Sequence, residues 1–240
     1  KTQTHGSGCP SDGNLLVEAT VYDRFLDQLQ REGGYLATAE QKERLEAAMW
    51  DIEGRRTLDT VARAADVIAA KAGFALPAGK TFIIVKEDRI GKAHRFSSEK
   101  LSPVLAIFKY SGFDNVLQMV ADILDVGGKG HSVGIASYDD DHIHRLAMAA
   151  PVSRIMVRQP NVRGKGGSFT NGMPQTASLG CGTWGGNITS ENISVKHYMN
   201  TTWVSRPIPE DRPDERELLG EFYNSETFEP EPAAGSPRGA

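Results

Sequence analysis

The sequence predicts an α/β fold, a mostly parallel sheet flanked by helices, and three observations carry that reading. Strand and helix patterns alternate along the chain, which is the signature of strands joined by helical crossovers. The candidate strands at residues 83–85, 104–108 and 154–157 are nearly continuous apolar runs, as strands buried on both faces require. The helical segments carry apolar residues at helical spacing, and several have recognisable starts and stops.

In chain order, Asn14 to Glu18 is apolar and β-compatible, and Val21, Tyr22, Phe25, Leu26 and Leu29 follow at helical spacing. Gly33 and Gly34 end that helix. Thr38 and Gln41 form a capping-box pattern ahead of a second amphipathic helix with Leu45, Ala48 and Met49. A third helix is expected from about Leu58 to Lys71, with Val61, Ala64, Ala65 and Ile68 on one face, stopped by Gly73 and Pro77. The pattern then reads strand (Phe82 to Val85), strand (Val104 to Tyr110), helix (Phe113 to Leu124), strand (Ser132 to Ala136), helix (Asp140 to Ala149) and strand (Arg154 to Arg158). Residues Gln159 to Asn187 are rich in Gly, Asn, Ser and Thr, and a loop of that length is expected to be functional or to wrap a partner. A short helix signal follows near Val195 to Met199. From Arg206 to Ala240 the chain is Pro-rich and acidic, and an extended, largely solvated tail is expected, with one docking point around Phe222 and Tyr223.

With 240 residues and 39% hydrophobic content the chain can bury a sizeable core, as one large domain or two small ones. A net charge of -4 offers no basic surface for phosphates, so nucleic acid is excluded as a partner on electrostatic grounds. No apolar run reaches membrane-spanning length and no charged-then-apolar leader opens the chain, so a cytoplasmic protein with no membrane association is expected. The two cysteines, Cys9 and Cys181, lack CxxC spacing and read as free thiols. Glycosylation sequons at Asn187, Asn192 and Asn200 are discounted without a secretory leader.

Cys9 sits between glycine and proline just before a strand, in a loop rather than a core. Such a loop suits a thiolate nucleophile, because turn N–H groups can stabilise both the thiolate and the oxyanion formed when it attacks a carbonyl. The competing reading is a small buried residue. His131, between a glycine-rich loop and a strand, could serve as a proton carrier or simply as a hydrogen-bonded structural residue. His142 and His144 follow three aspartates, but helix capping already accounts for those carboxylates, and residues two apart on a helix do not face a common ion. No metal site is expected. Gly180, Gly182 and Gly185 match GxGxxG without the strand before it or the long helix after it, so close backbone packing near a pocket is the better account.

Four stretches resemble the CoA-acylating aldehyde dehydrogenases. GCGTWGGNITSENISVKHYMN (Gly180 to Asn200) is similar to the family's C-terminal signature, EKLSPVLAIFKY (Glu99 to Tyr110) to its cofactor-contacting segment, and GGKGHSVGIAS (Gly127 to Ser137) to its histidine-bearing strand. SGCPSDGN (Ser7 to Asn14) stands where the family has its nucleophilic cysteine followed by an acidic residue, though Pro10 and an extra glycine depart from the commoner pattern. The resemblance reaches to about Pro207. It implies the catalytic domain of the aldehyde dehydrogenase fold over residues 1–205, with residues 206–240 as the tail and the nucleotide-binding domain outside this chain. A fragment of that kind would be inactive alone.

The resemblance makes Cys9 the nucleophile, carries Asp12 over beside it, and makes Glu99 a ligand of the nicotinamide ribose with Leu101, Ser102 and Pro103 alongside. It makes His131 the base that deprotonates coenzyme A. NAD or NADP is the implied hydride acceptor, CoA the co-substrate, and a homodimer or homotetramer the implied assembly. The stretch RPIPEDRPDERELLGEFY (Arg206 to Tyr223) resembles the acylating sulfoacetaldehyde dehydrogenases. A sulfonate needs cations, and Arg154, Arg158, Arg163 and Lys165 cluster at a strand end and in the glycine-rich loop, where they could equally touch CoA phosphates or stay solvated. Two rival readings stand beside this one: a non-acylating aldehyde dehydrogenase that releases free acid, and an assembly module that keeps the fold without the chemistry.

Overall fold

The structure is a computed structural model and describes residues 1–224. It divides into a unit spanning Lys1–Met199 and a separate one beginning at Asn200.

The first unit contains two parallel sheets where the sequence pattern suggests one. Strands β1 (Asn14–Glu18), β2 (Gly34–Leu36), β3 (Phe82–Glu87) and β4 (Val104–Tyr110) form a four-stranded sheet in the order β1-β4-β3-β2. Every pair is parallel, with Ala106 opposite Asn14 on one side and Val85 on the other. Strands β5 (Val133–Ile135) and β6 (Ile155–Val157) form a separate parallel pair.

Alternation along β3 and β4 sends side chains to two cores. Ile83, Val85, Val104, Ala106 and Phe108 face one way, where Leu45 and Met49 of α2 (Ala39–Met49), Ile68 of α3 (Ala65–Lys71) and Phe96 cover them. Phe82, Ile84, Leu105 and Ile107 face the other way, against Tyr22 and Leu26 of α1 (Tyr22–Arg31). A third cluster joins α4 (Phe113–Gly127), α5 (Asp140–Ala149) and the β5–β6 pair through Leu117, Val120, Leu146, Val133 and Ile155.

The Thr38–Gln41 capping box is formed, with Gln41 N–H donating to Thr38 Oγ1 at 3.2 Å and Thr38 N–H to Gln41 Oε1 at 2.9 Å. Two expectations change. Gly34 opens β2 instead of only ending a helix, its Cα too close to Ile84 and Phe82 for any side chain. The continuous helix from Leu58 to Lys71 is also broken. A 3-10 turn over Leu58–Thr60 is followed by Ala62 at φ 55, whose N–H donates to Leu101 O at 2.9 Å, and α3 begins at Ala65. A hydrogen bond from outside the segment outweighs its helical spacing.

Within the second unit, the expected extended tail contains one short helix, α7 (Glu215–Leu219), whose start is capped by Asp214 accepting from the N–H groups of Arg216 and Glu217. Phe222 is exposed, and the Arg216 guanidinium lies 5.5 Å from the Tyr223 ring centre. The expected tail beyond residue 224 lies outside the described residues. Among the described residues no helix is long and apolar enough to cross a membrane.

Candidate functional site

The Cys9 segment is a tight turn in which Ser11 N–H donates to Gly8 O at 2.8 Å, with Pro10 buried and Cys9 exposed. Gly13 O accepts from Ala106 N–H at 3.0 Å, so the turn feeds directly into the parallel sheet through β1. The thiol therefore lies at the N-terminal end of β1, on a loop held by its edges.

The Glu99–Pro103 loop lies against this turn. Gly6 has φ +67, and a Cβ there would come within 2.5 Å of Ser102 O, so only glycine allows the two backbones this approach. Glu99 is exposed, Leu101 holds a left-handed conformation at φ 45, and Ser102 and Pro103 are buried. Ser102 Oγ is buried without a hydrogen-bond partner among the described residues. The Lys1 ammonium, pushed down to about 8 by burial, feels the opposing pull of both Asp12 and Glu99, which places these two carboxylates around one region. An exposed carboxylate in this position can accept hydrogen bonds from hydroxyl groups.

His131 belongs to a second group of loops. Its Nδ1 lies 2.8 Å from Ser132 Oγ, and partial burial, then the charges of Arg154 and Lys165, lower its pKa below the ordinary 6.5. The preceding Gly130 has φ +99, and a Cβ there would meet Cys181 O at 2.4 Å. Gly185 and the Cys181 carbonyl of GCGTWG thus pack against the Gly130 backbone beside His131, and the motif opens only a 3-10 turn, Thr183–Gly185.

Arg154 is buried at 5% exposure and anchors these loops. Its Nε donates to Asn192 Oδ1 at 2.8 Å, Nη1 to Gly180 O at 2.8 Å and Nη2 to Ser190 O at 3.1 Å. A cavity of about 250 Å³ adjoins it, lined by Ser153, Met173, Pro174 and Asn192 among others. Asn192 in turn donates to Lys165 O and Pro174 O at 3.1 and 2.7 Å, so this sequon asparagine has both amide protons committed in the interior.

The remaining basic residues lie on the segment that follows β6. Arg158 is exposed, donates to Ser137 O at 2.6 Å and lies over the Tyr138 ring; Arg163 is exposed on α6 (Asn161–Gly164); Lys165 follows it and is half-buried. His142 stacks on Phe113 with ring centres 3.8 Å apart, and among the described residues no three His, Cys, Asp or Glu side chains gather as metal ligands would.

One hydrogen bond joins the two groups of loops: Asn161 Nδ2 donates to Asp12 Oδ1 at 3.0 Å, while Asn161 also packs beside Gly134 of β5, three residues after His131. Sequence reading missed Asn161, and it missed Lys100 inside the same EKLSPV motif that pointed to its neighbours. Both are buried polar side chains. The only sequence signal for Lys100 was a charge directly ahead of an apolar run, which reads equally as a solvated loop.

No family model matches the chain. It is 38% identical over 226 residues to a sulfoacetaldehyde dehydrogenase of Acholeplasma sp, covering 92% of this chain and 46% of that protein. It is 36% identical over 223 residues to an acylating sulfoacetaldehyde dehydrogenase of Bilophila wadsworthia, covering 91% of this chain and 48% of that protein. A solved acetylating aldehyde dehydrogenase from Geobacillus thermoglucosidasius matches with a TM-score of 0.79 at 31% identity, over 88% of this chain and 48% of that one. The chain spans about half the length of the curated relatives it matches. Over that half, sequence and fold agree along nearly the whole chain, and the chain belongs to the CoA-acylating aldehyde dehydrogenase family.

Proposed function

We propose that the protein carrying this chain oxidises an aldehyde to an acyl-CoA through a thioester on Cys9. The observation that carries this reading is the exposed Cys9 turn, packed at Gly6 against the Glu99–Pro103 loop and bonded at Asp12 to the Asn161 that adjoins the His131 strand.

In this reading the Cys9 thiolate adds to the aldehyde carbonyl, and turn N–H groups stabilise the oxygen that gains charge. Bound NAD or NADP would supply the two-electron hydride acceptor, so that the Cys9 adduct becomes a thioester. Glu99 orients that acceptor through its ribose, with Leu101, Ser102 and Pro103 shaping the loop around the carboxylate. His131 takes the thiol proton of CoA; with Nδ1 engaged by Ser132, Nε2 is the exchanging nitrogen. The CoA thiolate then attacks the thioester carbonyl, and Cys9 leaves as a thiolate ready for another turnover. The enzyme acts as a dimer or tetramer assembled through this catalytic domain.

The aldehyde in this proposal is sulfoacetaldehyde. The relatives' names support it, and Arg158, Arg163 and Lys165 offer cations for a sulfonate at the loops that follow β6. Arg154 contributes by holding those loops, since most of its donors are engaged by carbonyls and by Asn192.

The test uses the complete protein. Cys9→Ser should lower CoA-dependent nucleotide reduction by at least about 10³-fold, as loss of an essential nucleophile does, and acyl-Cys9 should be seen by mass spectrometry when aldehyde and nucleotide are mixed without CoA. Undiminished nucleotide reduction by the serine variant would overturn the proposal. Acid released at the same rate with and without CoA would replace it with the hydrolytic reading.

A further inference from the structure

We propose that Lys100 is a positioning residue for the acylation half of the reaction, its buried side chain locking the Cys9 turn and the Glu99–Pro103 loop in one register. This inference rests on the roles proposed above for Cys9 and Glu99.

Lys100 is 1% exposed. Its Nζ donates to Asn14 Oδ1 at 3.0 Å, to Ser98 O at 2.8 Å and to Phe96 O. Three acceptors for three protons is the full complement of an ammonium group. The side chain reaches from the cofactor loop to the foot of the nucleophile turn, where a Cβ on Gly13 would lie 3.6 Å from Nζ. Asn14 completes the link by donating from Nδ2 to Ser97 O at 2.9 Å, so Lys100 also sets which way that amide faces.

The backbone of Lys100 is fixed with equal care. Its carbonyl accepts from Arg56 Nε at 3.1 Å, and the next carbonyl, of the left-handed Leu101, accepts from Ala62 N–H at 2.9 Å. Glu99 on one side and Ser102 on the other thus flank a residue whose own side chain ends at Gly13 and Asn14, where the chain leaves the Cys9 turn for β1. Burial first, and then the charges of Lys1 and Arg56, lower the Lys100 pKa well below 10.5, against the pull of Glu87 and Glu99. A buried ammonium in a repulsive field is a costly way to hold a loop, and a neutral residue of the same length would avoid that cost. What the ammonium provides is one directed bond across to Asn14, anchored by two more to carbonyls of its own segment, between loops that must present a thiol and a cofactor to the same carbon.

The experiment separates the two half-reactions in the complete protein. Acylation is followed as single-turnover nucleotide reduction without CoA, and deacylation as acyl transfer from preformed acyl-Cys9 to CoA. Lys100→Met should slow acylation by about 10²-fold, the scale of a misplacement near 1 Å, while deacylation changes by less than about 3-fold. Asn14→Ala, which removes one acceptor and leaves the lysine in place, should show the same selectivity with a smaller loss. It decides the matter if the methionine variant does not fold. Equal loss in both halves, or no loss in acylation, overturns the positioning role. Absence of acyl-Cys9 in the unaltered protein would instead defeat the underlying reading and would be seen before any Lys100 variant is made.

Discussion

A histidine acts as a base only while neutral, and His131 is surrounded so as to stay neutral. Partial burial and the charges of Arg154 and Lys165 all disfavour its protonated form, so the base form persists below the ordinary 6.5. The rate of acyl transfer to CoA should therefore hold as pH falls through 6.5 and drop only at more acid pH. Lys165→Met removes one repelling charge and should move that drop upward toward 6.5. Stopped-flow deacylation across the acid range checks both, and a drop lying above 6.5 in the unaltered protein would contradict the role given to burial. At this scale the sequence offered candidates where a residue type stands inside a motif, as Cys9, Glu99 and His131 do, and the roles proposed for them await the tests above. It was not legible for Lys100, Asn161 or Asn192. Each is buried with at least one hydrogen-bond partner from a distant segment, and a charge or an amide in a polar stretch reads as solvated until the chain around it has closed.

The elements whose signals are local came through well. Strand β4, the end points of α5 and the Thr38 capping box follow from apolar runs and side-chain to backbone bonds that neighbouring residues make by themselves. Thr38→Ala should lower the unfolding free energy by about 1 kcal/mol, the usual cost of losing an N-cap, with no effect on acylation, as denaturant titration and single-turnover rates would show. Unchanged stability would mean that the cap of α2 carries no net energy in this setting. Elements set by distant partners were misread. The break at Ala62 depends on the Leu101 carbonyl, 39 residues away by their numbers (101 − 62), and β2 depends on pairing Gly34, Tyr35 and Leu36 with Phe82, Ile83 and Ile84. Neither partner is visible within the window in which helical spacing or a glycine stop is judged.

For the molecule as a whole, the central consequence is that β3 and β4 are covered on both faces. Consecutive residues Ile107 and Phe108 belong to different cores and both are fully buried. Ile107→Ala and Phe108→Ala should each destabilise the protein by about 3 kcal/mol, read from shifts in the chemical unfolding midpoint; a sheet covered on one face would lose stability from only one of them. The sequence by itself determined that this is an α/β chain with parallel strands, because apolar runs and helical spacing report which local conformations can be buried. Its motifs also determined which family it resembles, because each is a continuous stretch readable without the fold. Only the tertiary structure decided that the strands part into sheets of four and two, that Gly6 and Gly130 let remote backbones touch, and that Lys100 and Asn161 join the loops bearing the candidate groups. Those outcomes depend on hydrogen bonds and close packing between segments far apart in the chain, whose partners exist for one another only once the core has formed.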